Sequence, residues 1–265
     1  MQEENRPMVR RRRVVFPYYY SARKKLFHVV TRIKDVPGAL AGVLNLLTTE
    51  LNLLGSTSYS IEGDSAMFSC FAESLRRSET PEEIQRLLAK SPWVLESRVS
   101  ESRDGLLVDS FHTGVQVGAG EPYIMFPSAG MDDIFEKLVR TFGSGGETIL
   151  YELGRNFGND RFELYRPLLG SQPRTRVDEA SHIFEALGYG ESTITQNPDG
   201  SIRMVVDDCF ECFTPSVIGR SCAFRRGLAA GSFGALIGQE VQCQETKCRS
   251  KGDKFCEFIL TPRPD

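Results

Sequence analysis

The spacing of apolar residues changes period several times along this chain, and each change predicts an element. Leu26–Ile33 is a nearly continuous apolar run that reads as a strand. Asp35-Val36-Pro37-Gly38-Ala39-Leu40 then starts a helix, with proline at the first turn, where a missing N–H costs nothing. Leu40, Val43, Leu44 and Leu47 keep helical spacing. Leu51–Glu62 and Ser65–Glu73 are two strands around Gly63-Asp64, a hairpin signal. Thr80 followed by Glu83 is a capping box opening a second helix. Trp93–Ser100 closes the set as a fourth strand, so residues 26–101 follow a βαββαβ order.

The second half has a different rhythm. Leu106–Val117 and Tyr123–Phe126 flank Gly118-Ala119-Gly120 and predict a hairpin that begins a second domain at residue 102. Residues 128–166 are helical, with Ser128 as cap and Met131, Ile134, Phe135, Leu138, Val139 and Phe142 on one face. Gly143-Ser144-Gly145-Gly146 breaks that helix. No Gly-Lys-Ser/Thr follows, so the break is a helix-to-helix turn and not a phosphate loop. Asp178–Leu187 is a short helix. Glu191–Gln196 and Ile202–Cys209 are strands around Asn197-Pro198-Asp199-Gly200. Arg220–Gly238 is a Gly/Ala-rich helix, and two further strands end the chain. The pattern predicts an α+β protein in which antiparallel sheets pack against helices.

Composition narrows the class. The chain has 265 residues, 40% of them hydrophobic, and a formal net charge of −3. These values suit a globular protein of one large or two modest domains. No apolar run approaches the length that spans a bilayer, so no membrane role is expected. Seven cysteines form no dense framework, which favours a reducing, cytoplasmic setting with thiols kept for metal or core. Residues 1–25 form a basic and aromatic arm containing Arg10–Arg13 and Tyr18–Tyr20. Docking on a domain or a second subunit is preferred to nucleic-acid binding, which the net charge does not support. His28, His112 and His182 sit in separate segments, and no nucleophile elbow or paired-carboxylate signature occurs. An enzyme is not expected.

The chemistry concentrates near the C-terminus. Glu245 and Cys248 end one strand, Ser250, Gly252 and Asp253 supply a turn, and Cys256 starts the return strand. Cys222 lies upstream, where a helix begins. Packing of that helix on the hairpin would bring together three thiolates and one carboxylate, which suits a closed tetrahedral zinc site. Three reduced thiols in an ordinary core are the alternative that spacing leaves open. Cys243 shares a strand face with Glu245 and is a rival ligand if the register shifts. Cys209 and Cys212, read on a strand, would face opposite sides and form no pair.

Two resemblances rest on these motifs. The βαββαβ order with Asp-x-Pro-Gly-Ala-Leu resembles an ACT domain, a ferredoxin-like module, over residues 26–101. That resemblance implies an effector site, for an amino acid or similar small ligand, at Asp35, Val36, Pro37, Gly38, Ala39 and Leu40, and a homodimer. Glu-x-x-Cys, a Gly-Asp turn and Cys-x-Phe, with a cysteine upstream, resemble the vinyl-4-reductase domain over roughly residues 106–262, which implies such a domain at residues 102–265. That family includes hydrocarbon-sensing input domains and an accessory protein of bacteriochlorophyll synthesis. The resemblance implies a structural zinc held by Cys222, Glu245, Cys248 and Cys256. It also implies a small hydrophobic or aromatic ligand, with Phe210, Phe213, Phe224 and Phe233 as candidate lining. A ligand-sensing regulatory protein is the expected function. An accessory role in tetrapyrrole metabolism and a nucleic-acid-binding regulator are the alternatives.

Overall fold

The computed structural model describes residues 12–15, 17–61, 63–117, 120–169, 177–212 and 220–263. Arg10 and Arg11 of the basic arm, Gly118 and Ala119 of the expected hairpin, and Phe213 of the expected pocket lie outside the described residues. The chain divides into two compact units, Met1–Ile124 and Met125–Asp265.

In the first unit, β2 (Leu26–Lys34), β3 (Leu51–Ile61), β4 (Ser65–Ser74) and β5 (Val94–Glu101) form a sheet in the order β3-β4-β2-β5. All its pairings are antiparallel. Strand alternation sends Phe27, Val29 and Ile33 to one face, where they meet Val43 and Leu47 of α1 (Ala39–Leu47) and Ile84 and Leu88 of α2 (Pro81–Leu88). Thr80 and Glu83 form the capping box at α2. α1 starts one step later than its sequence predicts. Gly38, at φ 87°, is the N-cap, so Pro37 precedes the helix instead of occupying its first turn.

The second face of this sheet is also covered. β1 (Tyr18–Tyr20) pairs antiparallel with β6 (Leu106–Val108), and Tyr19 and Leu107 pack on Leu26 and Phe71. A second ribbon joins β7 (Val115–Val117) to β8 (Glu121–Tyr123). Residues 102–124 therefore group with the first unit, although the sequence reading began the second domain at residue 102. Pairing of β6 with the aromatic arm holds that segment to the first unit.

The second unit begins with α3 (Ser128–Phe142) and α4 (Ser144–Leu169), joined through Gly143. Ser128 is the first residue of α3 and makes no side-chain cap; Pro127 occupies the N-cap. After α5 (Val177–Ala186) come β9 (Glu191–Gln196), β10 (Ile202–Asp207), α6 (Ala223–Ile237), β11 (Val241–Lys247) and β12 (Cys256–Pro262). The four strands form an antiparallel sheet in the order β11-β12-β10-β9. Helix α6 packs its Ala229, Ala230, Phe233 and Leu236 on Met204, Val206, Phe258 and Leu260 of that sheet.

Helices α4 and α6 meet backbone to backbone. A Cβ at Gly227 would lie 1.9 Å from the Tyr151 carbonyl oxygen, and one at Gly154 would lie 2.1 Å from that of Phe224. Gly158 and Gly231 repeat the arrangement four residues on, at 2.3 and 2.0 Å. Only glycine permits this approach, and it fixes where the first turn of α6 sits. Among the described residues, no helix is long and apolar enough to cross a membrane.

Candidate functional site

The N-terminus of α6 is ringed by acidic and thiol groups. Cys222 is its N-cap residue and makes no side-chain cap. Carboxylates satisfy the first amides instead. Glu245 accepts from the Cys222 amide at 3.1 and 3.3 Å. Glu211 accepts from the amides of Phe224 at 3.2 Å and Arg225 at 2.7 Å. Both acids suit the positive end of the helix. Burial, with the Cys248 thiol nearby, pushes the Glu245 carboxyl up to about 7. Burial raises Glu211 well above the carboxylate range.

Five buried sulfurs gather at this point. Cys222, Glu245, Cys248 and Cys256 offer ligand atoms within 4.8 Å of one another, as do Cys209, Cys212, Cys222 and Cys256. The Cys212 sulfur lies 3.0 Å from that of Cys222, 3.5 Å from Cys248 and 3.8 Å from Cys256. Cys222 is 3.5 Å from Cys248 and 3.7 Å from Cys256. Ser250 hydrogen-bonds the Cys248 sulfur at 2.9 Å, and the Arg249 amide donates to Cys256 at 3.5 Å. Cys243 is in neither group. It is buried in the core, which pushes its thiol up to about 12.

The inclusion of Cys209 and Cys212 corrects the sequence reading. β10 ends at Asp207, Asp208 takes φ 53°, and Phe210–Cys212 is a 3₁₀ turn. Residues i and i+3 eclipse in a 3₁₀ turn, whereas on a strand they oppose. The paired acids Asp207-Asp208 before Cys209 were the available signal for a strand end.

This donor set suits a metal. A tetrahedral zinc with Zn–S near 2.3 Å sets sulfur–sulfur edges at about 3.8 Å. The Cys222–Cys256 and Cys212–Cys256 separations of 3.7 and 3.8 Å match that edge, those of Cys248 to Cys212 and Cys222 are 3.5 Å, and Cys212–Cys222 is shorter at 3.0 Å. The buried cluster of Cys209, Cys212, Cys222 and Cys256 could hold a metal ion.

The same helix lines a cavity. A cavity of about 40 Å³ lies between Phe162, Phe184, Ile194, Met204, Leu228, Phe233 and their neighbours, with Arg225, Ser181 and Ser232 as its polar groups. Of the expected lining residues, Phe233 is here. Phe224 instead stacks on Phe135 at 5.3 Å, and Phe210 meets Tyr189 edge-on at 5.2 Å. Those rings build the aromatic packing between α3 and α6, so ring type alone did not separate core from cavity.

In the first unit, Asp35, Val36, Pro37 and Gly38 are exposed ahead of α1, Leu40 is half-buried and Ala39 is buried. The fold also brings together two histidines that are far apart in sequence. His28, Asp109 and His112 lie within 4.8 Å of one another. His112 Nδ1 meets Asp109 Oδ2 at 2.7 Å, and His28 Nε2 meets the Ser69 hydroxyl at 2.9 Å.

Residues 202–262, which hold the whole cysteine cluster, match the family model of the vinyl-4-reductase domain. The C-terminal region carries a vinyl-4-reductase domain. Two uncharacterized proteins of Methanocaldococcus jannaschii are similar. One is 27% identical over 123 residues, covering 46% of this chain and 68% of that protein. The other is 24% identical over 127 residues, covering 47% and 70%. Among solved structures, the phenol-responsive sensory domain of the transcription activator PoxR with phenol shares 19% identity over 54% of this chain and 78% of its own, at TM-score 0.48. A vinyl-4-reductase family protein from Methanocaldococcus jannaschii shares 21% identity over 54% and 85%, at TM-score 0.38.

Proposed function

We propose that this chain is a ligand-responsive regulatory protein whose vinyl-4-reductase domain holds a small apolar molecule. The observation that carries this reading is the position of α6. Its first turn is tied to the cysteine cluster, and its middle lines the apolar cavity. Occupation of the cavity and order at the cluster are therefore linked through one helix. A ligand that favours one setting of α6 shifts its population by as much as its affinity differs between settings.

Zinc is the proposed resident of the cluster, in a structural role. Cys222, Cys248 and Cys256 are the thiols that the sequence motif supplies. Cys212 offers a fourth sulfur, 3.0 to 3.8 Å from the other three. Glu245, the fourth ligand implied by the family resemblance, is within reach but is engaged by the Cys222 amide. Bound zinc would join the start of α6 to the β11–β12 hairpin and close loops that otherwise cost entropy.

For the first unit we propose an ACT-like regulatory or dimerising role. The strand order β3-β4-β2-β5 with two helices on one face is what a ferredoxin-like module would have, which supports this reading. Its effector site would be the turn Asp35–Leu40, and pairing across the long edge strand β3 would give a homodimer. Native mass spectrometry of the purified chain tests the whole proposal. One zinc per protomer, a dimer mass and a co-purified apolar molecule are expected; a metal-free monomer that takes up no apolar ligand would overturn it.

A further inference from the structure

The cavity contains a charge that its other walls do not answer. Arg225 is 3% exposed, in the first turn of α6, among Phe162, Met204 and Leu228. Its Nη2 donates to the Ser192 hydroxyl at 3.0 Å and approaches Met204 Sδ at 3.9 Å. Its Nε has no partner. Among the described residues no carboxylate pairs with this guanidinium. Glu211 is engaged by the backbone amide of Arg225, and Ser232 donates to the Gly158 carbonyl.

A guanidinium cannot shed its proton, and an isolated buried cation costs several kcal/mol. Such a group persists where an anion meets it for part of the protein's working life. The cluster thiolates supply negative charge at the start of the same helix, but the unsatisfied nitrogen belongs to a side chain that lines the cavity.

We infer that the cavity's ligand is an amphipathic monoacid, whose carboxylate pairs with Arg225 and whose apolar body fills the space toward Phe162, Phe184 and Leu236. This rests on the cavity reading above and adds the ligand's class. The planar fork of arginine matches the two oxygens of a carboxylate. One cation and two serines make a poor site for a phosphate dianion, which needs more donors. An uncharged hydrocarbon would leave the guanidinium buried and unpaired.

The test uses the full chain with its metal, titrated with octanoate and with octanamide in a calorimeter. The pair shares one apolar body and differs in the head. Octanoate should bind about tenfold or more tighter, the scale of one charge-assisted pair. R225M should abolish that preference while octanamide still binds, and R225K, which keeps the charge without the fork, should fall between. The wild-type comparison needs no variant, so a misfolded R225M does not spoil it. Equal affinity for the two probes in wild type would overturn the acid reading and leave the apolar cavity standing. Binding of neither would overturn both. Zinc loss in R225M together with equal affinities in wild type would assign Arg225 to the cluster as its counter-charge.

Discussion

The Cys222 amide donates to both carboxylate oxygens of Glu245, so a strand residue holds the first turn of the central helix. This contact exists beside the cluster sulfurs and separates two roles for Glu245. As a ligand it would be required for metal; as the acceptor of an amide it would be required for order at the helix start. C222S, C248S, C256S and C212S should each lose stoichiometric zinc by elemental analysis. C243S should retain it. E245Q should retain zinc and lower the melting temperature, since an amide oxygen is a weaker acceptor than a carboxylate. Zinc loss in E245Q with full retention in C212S would give the fourth position to Glu245. Zinc affinity should fall with pH, because thiolate ligands must be deprotonated.

The crossing of α4 and α6 gives a second prediction. G227A forces a methyl to within 1.9 Å of the Tyr151 carbonyl, and that oxygen belongs to backbone. The helices must separate, at a cost of about 1–3 kcal/mol or more for overpacking. Gly145, near the start of α4, has open space at the same position. G145A should change stability by less than about 0.5 kcal/mol, as surface substitutions usually do. Urea midpoints of the two variants make the comparison. Equal small effects would mean that the crossing relaxes freely.

Legibility followed the range of the physics. The capping box at Thr80, the turns at Gly63-Asp64 and Asn197–Gly200, and the helical stripe from Met131 are local, and the structure contains each. The convergence of Cys222, Glu245, Cys248 and Cys256 is long-range, yet the hairpin and helix start were both readable, so their meeting followed. Cys212 was missed because its place depends on a 3₁₀ turn that hydrophobic period does not report. Arg225 was missed for a different reason. A single arginine in a Gly/Ala-rich helix looks like a solvated residue until the helix is packed on all sides. The meeting of His28 with His112 also required the tertiary fold, because β6 and the loop after it must first cover the sheet.

A third prediction concerns Arg220 and Asp132, which pair while both are nearly inaccessible to water. Arg220 also donates to the Asp132 carbonyl at 3.0 Å and to the Glu211 carbonyl. Its own carbonyl accepts from Ser250, which hydrogen-bonds Cys248. The pair thus fixes α3 to the backbone next to the cluster. D132N leaves a buried guanidinium short of its counter-charge and should cost about 3–5 kcal/mol. Replacing both partners with R220M and D132L should cost less than D132N alone, because no charge is then stranded. Chemical denaturation of the zinc-loaded variants checks the order. A double variant less stable than D132N would mean that the pair contributes net attraction beyond its desolvation.

The last prediction is a pH dependence that originates at His28. Burial holds its imidazole below the usual value, an effect that outweighs the nearby Asp109 carboxylate, while His112 and Arg98 add to the lowering. The unfolded chain therefore takes up the proton first, at about pH 6.5. Between that pH and the lower folded value the unfolded state binds more protons, so stability falls as pH drops through the window. Asp109 does not confuse this range. Hydrogen bonds from His112 and Phe111 overcome its burial and hold it below the usual carboxylate value, so it stays ionised throughout. Glu211 and Glu245, both raised, act in the opposite direction, losing stability as pH rises. The decisive quantity is thus the difference between wild type and H28Q, which keeps an amide donor for Ser69. Subtracting the two stability curves should leave a slope confined to pH values below about 6.5, with wild type losing relative stability toward acid. Parallel curves would mean that His28 titrates alike in the folded and unfolded chain.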